Sequence, residues 1–153
     1  MRSPLICVVA GAALAAIFGG CGFVSISAPP GGPPSPETLS AAQGPLDPSF
    51  GPAIWALDPS FPDPGPEATE LHILVWDQAC SSGIPTTGRM SPALIAYGAD
   101  SVTITIGVRP LGGIQSCVGP PGTPAVVVLD EPLGDRTLVD GGRVPPGPPS
   151  PPY

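Results

Sequence analysis

From Ser101 to Val108 the chain alternates without a fault. Val102, Ile104, Ile106 and Val108 are apolar, and Ser101, Thr103 and Thr105 carry hydroxyls. A period of two is the pattern of a half-buried strand. It predicts one apolar face turned inward and one hydroxyl face turned to water or a partner. Upstream, Leu71-His72-Ile73-Leu74-Val75-Trp76 is apolar on both alternating faces, which predicts a central or sandwiched strand. Ala93–Tyr97 is a further run, separated from Ser101 by Gly98-Ala99-Asp100, and that short turn predicts a hairpin. Ala125–Leu129 predicts a fourth strand and Arg136–Val139 a short fifth. No heptad or amphipathic-helix pattern follows the N-terminal apolar run. Short strands separated by Gly/Pro-rich turns predict a mainly β domain over residues 68–143, a small antiparallel β-sandwich or partly open barrel.

The flanks read differently. Arg2 precedes an uncharged apolar run from Leu5 to Phe18, closed by Phe18-Gly19-Gly20-Cys21. A basic start, an apolar middle and small residues before a cut make an export signal. The closing tetrapeptide resembles the bacterial lipobox, with Phe18 where Leu is usual. That resemblance implies a signal peptide over residues 1–21, cleavage before Cys21 and a lipid on its thiol. The rival is an uncut anchor, because the stretch from Leu5 to Ala28 is uncharged and long enough for a bilayer core of ~30 Å. The Gly19-Gly20-Cys21-Gly22 cluster disfavours it, since glycine weakens a helix interior by ~1 kcal/mol each. A third reading is secretion after simple loss of the segment. In the two anchored readings Arg2 stays inside and the rest lies outside.

Residues 22–67 are dense in Pro, Gly, Ser and Asp, and predict a disordered, polyproline-rich spacer. It contains a repeat, Leu46-Asp47-Pro48-Ser49-Phe50 and Leu57-Asp58-Pro59-Ser60-Phe61, with Trp55 between the copies. This is either a duplication within a linker or a linear docking motif anchored by Phe50, Trp55 and Phe61. Residues 144–153 predict a second Pro-rich disordered tail; its Ser150-Pro151-Pro152-Tyr153 falls short of a PPxY ligand.

Charge and cysteine content narrow the function classes. The formal net charge is −7. There is no Lys, and the cations beyond the signal are Arg89, Arg109, Arg136 and Arg143. A chain without a basic cluster lacks the phosphate contacts that dominate nucleic-acid affinity, so no nucleic-acid partner is expected. Membrane attachment must then come through the N-terminal lipid or anchor. Setting aside Cys7 in the signal and Cys21, Cys80 and Cys117 are an even pair in an oxidising compartment and predict one disulfide. It would close a loop of about 36 intervening residues, worth ~4 kcal/mol by chain entropy.

No catalytic set emerges. His72 is the only histidine, so a Ser-His-Asp hydrolase would have to use it. It lies within an apolar strand, and Ser81 and Ser82 lack the strand-turn-helix frame of a nucleophile elbow. One His and two distant Cys do not make a zinc site. Asp130, Glu131, Asp135 and Asp140 are oxygen ligands of the kind calcium takes, but without the alternation of a calcium loop. No metal or cofactor is expected.

Glu70–Gly142 resembles a domain of uncharacterised secreted proteins and lipoproteins of high-GC Gram-positive bacteria. The resemblance rests on Val75-Trp76-Asp77, Cys80-Ser81-Ser82-Gly83, Tyr97-Gly98-Ala99-Asp100, Val108-Arg109-Pro110-Leu111, Gln115-Ser116-Cys117 and the run Pro132–Gly142. It implies a shared β domain with a Cys80–Cys117 bridge, and no activity. The expectation is a membrane-anchored extracytoplasmic lipoprotein, a non-enzymatic module that binds a cell-envelope protein or polymer or serves a structural role. The rivals are a signal-anchored or secreted envelope hydrolase, and an adaptor working through the repeats.

Overall fold

A computed structural model describes residues 35–152. The export signal with Cys21, and the first part of the Pro-rich stretch, lie outside the described residues.

The described chain is built from strands. In order they are β1 (Glu37–Leu39), β2 (Ala41–Ala42), β3 (Gly51–Leu57), β4 (Glu70–Asp77), β5 (Ala93–Tyr97), β6 (Ser101–Thr105), β7 (Gly107–Val108), β8 (Thr123–Val128) and β9 (Thr137–Asp140). Two sheets face each other, ordered β1-β8-β4-β3-β7 and β2-β5-β6-β9. The Leu71–Trp76 run forms β4, at the centre of the first sheet. The hairpin β5–β6 forms with Tyr97 opposite Val102. Val102, Ile104, Ile106 and Val108 are all buried, as their alternation requires. Mainly β structure with one disulfide, Cys80–Cys117, is therefore the fold.

The alternation in 101–108 conceals a change of sheet. Ser101–Thr105 pairs with β5 and β9 in the second sheet. At Ile106 the chain crosses over, its carbonyl accepting from Ala53 N at 3.1 Å. Gly107 and Val108 then pair with Pro52 and Gly51 in the first sheet. Near the N-terminus β1 passes into β2 in the same way, with Ala93 N bonded to Ser40 O at 3.0 Å. These two crossings join the sheets at both sides and curl the sandwich toward a barrel. Three pairings are parallel, β1 with β8, β2 with β5 and β6 with β9.

The linker expectation fails from Glu37 onward. Residues 37–57 supply three strands, and β3 carries Ala53 and Trp55 into the core, both fully buried. Trp55 Nε1 donates to Ile104 O at 3.0 Å, bonding one sheet to the other through the core. Among the described residues Pro48, Pro59 and Pro66 sit in turns. Pro52 lies within β3, at the sheet margin opposite Gly107, where the missing donor is tolerated.

The repeat resolves into two equivalent turns, one at each end of β3. Ser49 N donates to Asp47 Oδ1 at 2.8 Å and Phe50 N to Asp47 O at 2.9 Å. In the second copy Ser60 N donates to Asp58 Oδ1 at 2.9 Å and Phe61 N to Asp58 O at 3.1 Å. An Asp side chain that accepts from the residue two on builds an Asx turn, and Pro after it fixes the bend. The aromatic tip of each copy then folds back onto the domain. The Phe50 ring lies 5.0 Å from the Arg109 guanidinium, and Phe61 stacks on His72 with ring centroids 3.7 Å apart.

The C-terminal tail is also part of the fold, contrary to the expectation of disorder. Asp140 N donates to Gly147 O at 2.7 Å, and the two residues form a bridge. The Arg143 guanidinium binds the Ser150 carbonyl. Val144-Pro145 is a cis peptide. Gly142 allows this arrangement, because a Cβ there would collide with the Ala53 carbonyl.

Candidate functional site

Strand directions give the molecule two distinct ends. One end gathers the β5–β6 turn and the loops 58–69 and 129–136, tied together by Leu133 N to Ala68 O and Asp130 N to Tyr97 Oη, both 2.9 Å. The other end gathers the start of β1, the end of β4 and the two loops joined by the disulfide.

The disulfide end is organised by Arg89. Its Nη1 pairs with Asp77 Oδ2 at 2.9 Å and donates to Arg109 O at 2.6 Å, while Nη2 reaches Pro85 O at 3.3 Å. The pair is largely buried. The loops around the bridge are sewn together by Ser82 N to Ser116 O, Gly83 N to Val118 O and Ser82 Oγ to Gln115 Oε1, all 2.9 Å. Ser82 takes a left-handed conformation, φ 52°, to make these contacts.

Between these loops and the tail lies a groove of about 1240 Å³. Its floor is the outer face of the first sheet at Ile54 and Trp76. One wall is the disulfide with Val118 and Pro120, and the other is Val144, Pro145 and the tail prolines. Asp77, Gln78 and Arg143 add polar groups. Gln78 Nε2 donates to Gly142 O at 2.9 Å and so links the end of β4 to the opposite wall.

Arg143 also meets Asp140, whose side chain is fully buried. Asp140 Oδ2 lies 3.3 Å from Arg143 Nε and accepts from Trp55 N at 3.1 Å, while Oδ1 accepts from Gly142 N at 2.9 Å. Burial raises its pKa above the ordinary 3.8, and the two amide bonds and Arg143 oppose that rise. This carboxylate clamps β3, β9 and the base of the tail behind the groove.

The sequence candidates disperse. His72 lies on the outer face of β4, its ring covered by Phe61 at 2° between planes. Ser81 is buried under the disulfide loop and the Ser82 hydroxyl is engaged by Gln115 and Ser116. Both follow the far end of β4, whose five steps from His72 to Asp77 span about 17 Å, so the strand holds them apart from His72. The carboxylate set also separates. Glu131 pairs with Arg136 at 2.5 Å at the opposite end, whereas Asp140 is inside. Among the described residues no group of three or more His, Cys, Asp or Glu is placed to hold a metal. Of the three aromatics of the repeat region, Trp55 is core.

Sequence reasoning placed Trp76 on a strand but did not single it out as a groove floor. The signal available was that Trp76 shares its alternating face with His72 and Leu74, opposite the face of Ile73 and Val75. The tail wall carries no such signal in its composition.

Comparison with known protein families, with characterised proteins and with solved structures returns no match. Among the described residues no helix is long and apolar enough to cross a membrane.

Proposed function

We propose that this chain is an extracytoplasmic, lipid-anchored module of the cell envelope that binds and does not catalyse. Its anchor is the lipid on Cys21, and its ligand seat is the groove over Trp76. The observation that carries the binding reading is the groove itself, with an aromatic floor, apolar walls and polar groups from Asp77, Gln78 and Arg143. An indole face beside a few fixed polar groups suits an extended envelope polymer or peptide that lies across it. The covering of His72 by Phe61 supports a non-catalytic reading over the hydrolase. The folding back of both repeats supports it over a linker-borne adaptor.

The test is co-sedimentation of the purified chain with insoluble cell-wall polymer, compared with Trp76→Ala. Truncating a central aromatic anchor costs at least ~2 kcal/mol, so binding should weaken by about thirtyfold. Unchanged far-ultraviolet circular dichroism and an intact bridge would show that the variant is folded. Co-sedimentation that ignores Trp76→Ala would remove the groove from the account.

A further inference from the structure

We propose that the disulfide end of the domain is a lipid-facing surface, seated against the headgroup layer of the bilayer. This rests on the anchored reading above and adds the orientation in which the anchored domain works.

Three independent features point the same way. The first is exposed apolar surface. Of the five large apolar side chains exposed among the described residues, four stand at this end: Ile84, Ile114, Val118 and Val144. Ile114 is fully open and Val144 98% exposed, with Val118 at 63% and Ile84 at 47%. Exposed aliphatic side chains gathered at one end of a domain mark an interaction surface, and on braced loops they can enter the acyl boundary without unfolding anything. The bracing is present, because the disulfide, the Ser82 contacts and Arg89 fix both loops.

The second is charge. The segments 58–70, 98–100 and 129–136 at the opposite end carry eight of the twelve Asp and Glu residues. Residues 78–88 and 109–122, the two loops of the disulfide end, carry none. Of the carboxylates near them, Asp77 is neutralised by Arg89, Asp47 lies beside Arg109, and Glu37 accepts from Gly88 N. An anionic leaflet attracts cations and repels carboxylates over a Debye length of about 8–10 Å. It therefore turns the acidic end outward and leaves toward the lipid the end whose two loops hold no carboxylate and include Arg109.

The third is where the chain enters the domain. Glu37, the first strand residue, pairs in register with Ala125, near the start of β8, and its carboxylate accepts from Gly88 N at 2.9 Å in a disulfide-end loop. A chain tethered through residues before Glu37 thus enters the fold next to Gly88, in a disulfide-end loop.

The probe is tryptophan fluorescence of the full chain in vesicles of phosphatidylcholine and anionic phosphatidylglycerol with brominated acyl chains, using Ile114→Trp and, at the opposite end, Ala99→Trp. Both positions are exposed, so the fold tolerates them. After subtraction of the wild-type signal, Trp at 114 should lose emission to the bromines and Trp at 99 should not. In separate chains, Ile84→Asp and Ile114→Asp should each reduce vesicle partitioning from solution by about tenfold, the value of one buried aliphatic side chain. Quenching at 99, or at neither position in a chain that floats with the vesicles, overturns the proposal; the latter leaves the apolar end for a protein partner. A chain that does not float at all refutes the anchor separately. The same variants added to preformed vesicles then decide the surface, with quenching at 114 upholding it and none overturning it.

Discussion

Replacing Trp55 by alanine is expected to destabilise the domain by about 3–5 kcal/mol, read as a lower midpoint in urea unfolding with the slope unchanged. Trp55 is fully buried. Its removal opens a cavity between the sheets, and it deletes the bond that Nε1 donates to the Ile104 carbonyl. That carbonyl also accepts from Gly141 N at 2.9 Å, so it keeps one partner, and most of the cost is packing. The substitution separates two accounts of residues 37–61. As a disordered spacer, the segment would lose nothing when Trp55 is removed. As part of the sandwich, it loses a large share of the 5–15 kcal/mol that ordinarily stabilises a domain. An unchanged midpoint would exclude β3 from the fold.

Asp140→Ala should cost about 3–5 kcal/mol, the range found when one partner of a buried pair is removed. It leaves the Trp55 and Gly142 amides without an acceptor inside the protein. Arg143, which is about a quarter exposed, recovers some solvation. Asn at 140 should cost less, because one carbonyl oxygen can still serve one amide, while its NH2 faces the other. The pH dependence has a definite sign. Burial raises the folded-state pKa of Asp140 above 3.8, so the folded state holds this proton where the unfolded chain has released it. Stability from this group therefore grows as pH falls from above the raised value toward 3.8, and is flat below. The difference in unfolding free energy between wild type and Asp140→Asn should widen on acidification across that window. A difference that narrows would mean that Arg143 and the amide bonds outweigh burial.

Strand periodicity exposed the sheets where alternation was long and uninterrupted by proline. Leu71–Trp76 and Ser101–Val108 were legible because each offers at least three apolar positions on one face. The sheet change at Ile106 was not, because a strand that crosses between layers keeps its inward face and so keeps its period. Glu37–Leu57 was illegible for a different reason. Its strands are short or contain proline, and the repeat around β3 mimics low complexity although one copy is an Asx turn that opens the strand and the other an Asx turn that closes it. Local composition reports what a segment does alone. It does not report that Trp55 finds Ile104 forty-nine residues away. The Asp140 clamp follows the same rule, since it joins residues 85 apart. The disulfide was readable by counting cysteines. The groove was not, because its walls come from two loops and a tail that share no motif.

Three proposed roles fall along one axis of the molecule. As proposed above, the acidic end points to water, the groove over Trp76 takes the ligand, and the apolar disulfide end faces the lipid. The last two place the ligand close to the membrane, which suits a polymer or protein of the envelope rather than a freely diffusing solute.

Lipid anchoring and the bridge are read together from the intact mass of the protein isolated from its own membrane fraction, with and without reductant. The expected chain begins at Cys21, carries acyl groups and gains two hydrogens on reduction of Cys80–Cys117. A full-length, unmodified mass would contradict it.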